Sequence, residues 1–282
     1  MSALTGLYAG YSSLILLAGV AALLALSVYV TLMAGQLSLG NAALAAIGGY
    51  SAAILTRDHH FPLWPAVLSG AAIAAVVAVA IGIPALRLRG IYLALATLAF
   101  GEVVRAAALN LKITGGALGL INIPPLAGFW QVYGVLAATA FFFYRLERSR
   151  VGRAFAAIRE DEAAARAMGI KVTHYKVLAF AIAGCLAGVA GALTAHFTYV
   201  ITPAQANFTE AVNILTFAVV GGTSTFVGPM AGGVLLTILP EALRGLREDR
   251  LLLDGAILMA VTIYCPNGIS DPRLWRWRRA RR

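Results

Sequence analysis

The sequence predicts an all-α, polytopic transmembrane helical bundle of eight or nine spans, with broken or re-entrant segments. Three observations predict it. Of the 282 residues, 60% are hydrophobic and only 12% charged, about half the charged share of an ordinary soluble domain. No charge precedes Arg57, and that opening run is too long for a single span of about 20 residues. The charges that do occur are gathered, with 12 of the 34 lying between Arg145 and Lys176. A single transmembrane domain over residues 1–282 follows, carrying a cytoplasmic helix at 151–169 and a basic cytoplasmic tail at 267–282.

Taken in order, apolar runs place spans near residues 14 to 33, 39 to 56, 62 to 83, 90 to 109, 128 to 144, 174 to 200, 210 to 222, 228 to 243 and 251 to 265. The opening run has no basic flank and continues beyond any cleavage point, so it is expected to be retained rather than removed as a signal. Gly and Ser interrupt the pattern twice, at Gly35–Gly40, followed by Asn41, and at Gly221–Pro229. Paired interruptions mark either discontinuous helices at a substrate pathway, with Ser38, Asn41 and Ser224 as pathway candidates, or close helix packing through small residues. Gly184, Gly188 and Gly191 recur at four and three residues and predict a smooth helix face for close packing. Glu102 and Arg105 are the charges expected well inside a span; three residues apart, they share a helix face and can pair. They line the translocation path or neutralise each other near the outer interface. Trp64 and Trp130 fall at predicted outer boundaries, where amphipathic rings settle.

The charged island reads as one amphipathic helix of about four turns, with Val151, Phe155, Ile158 and Ala165 at spacings of four, three and seven. Eight Lys or Arg against four acids place it on the cytoplasmic side. Alternating spans then put sixteen of the twenty-two basic residues inside. The island is either a solvated linker or a docking helix for a soluble partner, and its apolar stripe, which must bury against something, favours docking.

The island's segment Arg159-Glu-Asp-Glu-Ala-Ala-Ala-Arg-Ala-Met-Gly169-Ile resembles the cytoplasmic coupling loop of ABC importer permeases, although Ala163 stands where the general motif has Glu and Glu162 comes one residue early. It is similar in particular to the LivM-type permease subunits of branched-chain amino acid importers. So are Gly35–Tyr50 and Arg87–Arg105, with Thr114-Gly-Gly116 and the late glycines Gly221, Gly222 and Gly228. The resemblance covers most of the chain from about residue 30 to 268. It implies a permease subunit in the cytoplasmic (inner) membrane, forming part of the path for leucine, isoleucine, valine or a related small polar metabolite. It also implies partners: a second related permease (LivH-like), two cytoplasmic ABC ATPase subunits (LivG/LivF-like) and a periplasmic or surface substrate-binding protein. Phe155, Ile158, Glu162, Ala164 and Gly169 would then couple to the ATPase, with Phe155 and Ile158 as apolar anchors, Glu162 as a charged contact and Gly169 as the helix exit.

No phosphate-loop, H-E-x-x-H or G-x-S-x-G motif is present, so neither an enzyme nor a cofactor is expected, and ATP hydrolysis would reside in partners. His59 and His60 lack a second ligand cluster, which leaves no expected metal site. Cys185 and Cys265 read as buried thiols. The net charge of +10 owes much to a tail of interleaved Trp and Arg, which suits anionic lipid headgroups rather than nucleic acid. The rival class is an ion-coupled secondary transporter, for which Glu102 is the embedded carboxylate on offer.

Overall fold

A computed structural model describes residues 2–88 and 90–242. Eight of the nine predicted spans appear there as helices: α1 (Ser2–Met33), α2 (Asn41–Asp58), α3 (Leu63–Ala85), α4 (Ile91–Asn110), α5 (Phe129–Arg148), α8 (Val172–Thr198), α9 (Phe208–Gly221) and α10 (Val227–Ala242). The ninth span with Cys265, the loop carrying Arg244, Arg247 and Arg250, Arg89, and the basic tail lie outside the described residues. The predicted island helix is instead two, α6 (Arg150–Glu160) and α7 (Glu162–Ala167). Among the described residues the single β pairing is an isolated bridge between Leu120 and Ile201.

Among the described residues four helices qualify by length and apolarity as full spans: Ser13–Met33 of α1, then α3, α4 and α8. The centre of the bundle belongs to α8 and to the less apolar α2, which pack against each other and against α3. Enclosure explains how α2 tolerates Asn41, Gly48, Gly49 and Thr56, all buried: neighbouring protein, not lipid, surrounds it, and polar groups such as the Asn41 amide N–H and the Thr56 hydroxyl find partners there, although the Asn41 side-chain carbonyl oxygen and the Tyr50 hydroxyl have none among the described residues. His196 of α8 shows this. It has no exposed surface; its Nδ1 donates to the Ala192 carbonyl at 2.7 Å, and its Nε2 meets the Thr56 hydroxyl at 2.9 Å.

Small residues set how closely these helices approach. The expected smooth face of α8 meets α3 through Gly184 and Gly188: a Cβ on Gly184 would stand 2.7 Å from the Ala74 carbonyl oxygen, and one on Gly188 3.1 Å from that of Gly70. A Cβ on Gly48 would collide with the backbone of Gly188, and one on Gly191 with the carbonyl of Ala45. With no hydrophobic force to join helices in lipid, such backbone contact is a main source of attraction.

Beyond α4 the chain folds back through two short 3-10 turns, Lys112–Thr114 and Gly116–Leu118. Leu120 and Ile201 then exchange backbone hydrogen bonds at 2.9 and 3.0 Å. Gly119 permits this clasp: it has φ +72°, and a Cβ there would strike the Ile201 carbonyl. Trp64 and Trp130, expected at the outer boundary, begin α3 and α5 and are 50% and 83% exposed.

Candidate functional site

Two regions gather polar groups that an apolar bundle has no structural need for. The first is the charged island between α5 and α8. Its core is α6, whose N-cap Ser149 accepts from the Gly152 N–H at 3.2 Å. The helix lays its apolar stripe on the inner ends of α1, α5 and α8. Phe155 has no exposed surface and meets Tyr175 edge to face at 6.2 Å; Ile158 is 4% exposed and packs with Ala165 and Val172. The two residues expected to face a partner are therefore covered by this chain itself, and the stripe's burial requirement is met internally.

The helix breaks at Asp161 because that residue takes an extended conformation and its carboxylate accepts from the N–H groups of Ala163 and Ala164, at 2.7 and 3.0 Å. An N-cap of this kind starts a new helix rather than continuing an old one. Glu162 sits between two cations, 2.8 Å from Arg166 and 2.7 Å from Lys176, so it braces α7 onto α8. Gly169 ends α7 at φ +83°. Its N–H donates to the Arg166 carbonyl, and that of Ile170 to Ala165, both at 3.1 Å, the paired bonds of a glycine-terminated helix. Ala164 and Met168 remain exposed, Met168 at 70%.

The same island holds both interruptions of the bundle. Gly35, in the turn between α1 and α2, packs so closely on α6 that a Cβ there would lie 3.1 Å from the Arg159 Cα. The Arg159 guanidinium reaches the turn between α9 and α10, donating to the Thr223 carbonyl at 3.1 Å and its hydroxyl at 3.3 Å. Beside it Glu147, at the end of α5, accepts from the Tyr29 hydroxyl of α1 at 2.8 Å and from the Phe226 N–H at 2.9 Å. Glu147, Tyr29, Thr223 and Phe226 were not singled out from sequence; Glu147 lies among arginines, and nothing local marks its partners. Of the pathway candidates, Ser224 is exposed in this turn. Ser38 and Asn41 are buried in the other: the Ser38 hydroxyl accepts from the Gly40 N–H at 3.3 Å, and the Asn41 amide donates to Ser27 at 2.9 Å. Gln36, 1% exposed, has no partner for its carboxamide.

The second region lies deeper. Between α8 and α9 the chain turns back through a 3-10 turn, Pro203–Ala206, that packs on α2 and α4. The Ala206 carbonyl faces Gly101, 3.5 Å from where a Cβ would stand, halfway along α4. Fourteen residues give α9 a length of about 21 Å, too short to cross a core of about 30 Å, and the 3-10 turn leads directly into it. The Asn207 side chain caps the helix at that break, accepting from the Glu210 N–H at 2.8 Å. A cleft of about 360 Å³ opens there, bounded by α1, α2, α8 and α9, with Thr194, Gln205, Asn207 and Glu210 as its polar lining.

Glu102 and Arg105 do pair, at 2.7 Å, but both side chains are about two-fifths exposed, at 41% and 42%, and they line neither region. Single alanine substitutions should lower uptake more than the double one, because each leaves a lone charge on a lipid-facing helix. Equal and additive losses in a double-mutant uptake assay would show the two uncoupled.

A helical bundle with several helices apolar and long enough to cross a membrane, braced at one end by a charged island, is an architecture that a membrane permease would use. Residues 10–263 match the family described as the permease component of the branched-chain amino acid transport system, and the chain belongs to it. It is similar to the high-affinity branched-chain amino acid transport system permease protein LivM of Salmonella typhimurium, 32% identical over 272 residues covering 84% of this chain and 64% of that protein. LivM of Escherichia coli K12 is 30% identical with the same coverage. LivH of Escherichia coli K12 is 36% identical over 138 residues, 48% of this chain and 43% of that protein. The chain thus spans a little under two thirds of the length of the LivM relatives. No solved structure matches it.

Proposed function

We propose that the chain is a permease subunit of an ATP-driven importer in a prokaryotic inner membrane, carrying branched-chain amino acids or a related small polar metabolite inward. A second, LivH-like permease would complete the path, two cytoplasmic ATPase subunits would drive it, and a periplasmic or surface binding protein would deliver the substrate. The observation that carries this reading is the placement of α6 and α7. One side is tied through Arg159 and Glu147 to the turn between α9 and α10; the other leaves Ala164 and Met168 exposed. A push on the exposed side reaches the interrupted spans without passing through lipid.

Within that reading Phe155 and Ile158 position the island by packing, Glu162 stiffens it, Gly169 directs its exit, and Ala164 and Met168 touch the ATPase. Ala164→Arg and Met168→Glu alter exposed atoms alone, so both variants should reach the membrane at normal levels while ATPase co-purification falls at least tenfold. That corresponds to about 1.4 kcal/mol, a modest loss for a central contact. Normal ATPase recovery from both would overturn the coupling assignment. One observation favours an ion-coupled secondary transporter: the carboxylate of Glu210 at mid-depth. Uptake that persists without any ATPase and follows an imposed ion gradient would decide for that alternative.

A further inference from the structure

Glu210 is the one acid between Glu162 and Glu241 in the sequence. The rise of α9 places it about 16 Å from the helix's cytoplasmic end at Gly221, near the middle of a core about 30 Å thick. An acid at that depth is costly and usually faces a cavity or an opposite charge. Among the described residues no Lys, Arg or His lies within salt-bridge distance of it: the ion pairs there are Arg57–Asp58, Arg105–Glu102, Arg166–Glu162 and Lys176–Glu162. Its side chain has a neutral partner, Asn213, one turn along α9. Glu210 is thus a carboxylate on the wall of a cleft, set in the first turn of α9, with no cation among the described residues to pair with it. The remaining walls divide sharply. Leu24, Ala42, Ala45 and Ile214 are apolar, whereas Gln205 and Asn207 cluster with Glu210 at the break in the span.

We propose that this cleft is a transient binding site for a zwitterionic α-amino acid with a short branched aliphatic side chain, its ammonium seated on the Glu210 carboxylate. The substrate carboxylate then lies toward the Gln205 amide and the start of α9, where helix N–H groups favour an anion. The side chain lies against Leu24, Ala42, Ala45 and Ile214. The volume fits a small metabolite: about 360 Å³ is at the lower end of ligand pockets. A carboxylate with no cation paired to it among the described residues suits a conduit, because the ligand supplies the cation on arrival and hydration recovers it on leaving. The substrate class rests on the importer reading above; the acceptor for an ammonium does not.

Equilibrium binding to the purified full chain in lipid nanodiscs tests the site without the rest of the importer. Radiolabelled leucine should bind the unaltered chain, and Glu210→Gln should weaken that binding at least tenfold. Competition by 4-methylpentanoate, which keeps the branched chain and carboxylate but lacks the ammonium, should be weak on the unaltered chain and no weaker on Glu210→Gln. Ala204→Trp, placed on an exposed lining residue so that folding is spared, should block leucine in both backgrounds. The proposal is overturned if leucine fails to bind the unaltered chain at 10 mM, roughly the weak end of ligand affinities, or binds Glu210→Gln as well as the unaltered chain. Persistence of full binding in Ala204→Trp overturns it too. ATPase recovery from the same preparations reports separately on the importer reading, and its absence would leave a leucine-binding result standing.

Discussion

Gly48→Leu should nearly abolish the folded protein in the membrane, whereas Gly134→Leu should accumulate normally. Both add the same side chain to a helix, and only the surroundings differ. At Gly48 even the first carbon would sit 2.6 Å from the Gly188 carbonyl oxygen, a backbone atom that cannot swing aside, while nothing lies within 4 Å of the equivalent carbon on Gly134. Relief requires α2 and α8 to separate along their length, which also loosens α3, packed on both through Gly70 and Gly188. Overpacking of this kind costs about 1–3 kcal/mol for small insertions and more where backbone must move. Gly48→Ala should therefore already lower the thermal midpoint by several degrees. The measurement is a fluorescence-detected unfolding curve on detergent-solubilised protein, with membrane abundance beside it. A Gly48→Leu curve matching that of Gly134→Leu would show that the three-helix contact is not what holds the core.

Glu147→Ala should leave the chain in the membrane but uncouple it. The substitution strands the Tyr29 hydroxyl, 2% exposed, and frees the Phe226 N–H, both of which the Glu147 carboxylate accepts from. A hydrogen bond to a charged group contributes about 1.5–3 kcal/mol, and an orphaned buried donor costs about 1–3 kcal/mol. Tyr29→Phe combined with Glu147→Ala removes the orphan hydroxyl along with its acceptor, so the pair should show a coupling energy of about 1 kcal/mol or more in a double-mutant cycle. Uptake is expected to fall at least tenfold in Glu147→Ala while ATP hydrolysis by the assembled complex continues, because the turn between α9 and α10 no longer follows the island. Glu147→Gln, which keeps an acceptor, should recover part of the uptake. Unimpaired uptake in Glu147→Ala would remove this carboxylate from the coupling route.

Much of the fold is legible in the sequence for a plain physical reason: lipid demands long apolar runs, and their edges are marked by the charges that cannot enter. The spans drawn from residue 14 to 243 accordingly fall on α1 to α5 and α8 to α10 within a few residues, except that α1 begins at Ser2, well ahead of the expected start at residue 14. What escaped is what periodicity does not encode. The stripe of Val151, Phe155, Ile158 and Ala165 says that one face is buried but not against what, and it is buried on α1, α5 and α8 rather than on a partner. Helix formers on both sides of Asp161 hide the break there; a short acid two and three residues ahead of the alanines whose N–H groups it caps was the available signal. Glu210 was passed over because it falls at the edge of a predicted span. Pro203 and a capping Asn207 just ahead of it were the marks of a helix starting late, at depth.

The long reach of the island's contacts sets an order of events during synthesis. Tyr29 waits 118 residues for Glu147, and Glu147 a further 79 for Phe226. Until the turn after α9 emerges, the Glu147 carboxylate has only one of its two donors and the Arg159 guanidinium has none of its Thr223 contacts. A nascent chain is therefore charged and open on its inner face until α10 is in place.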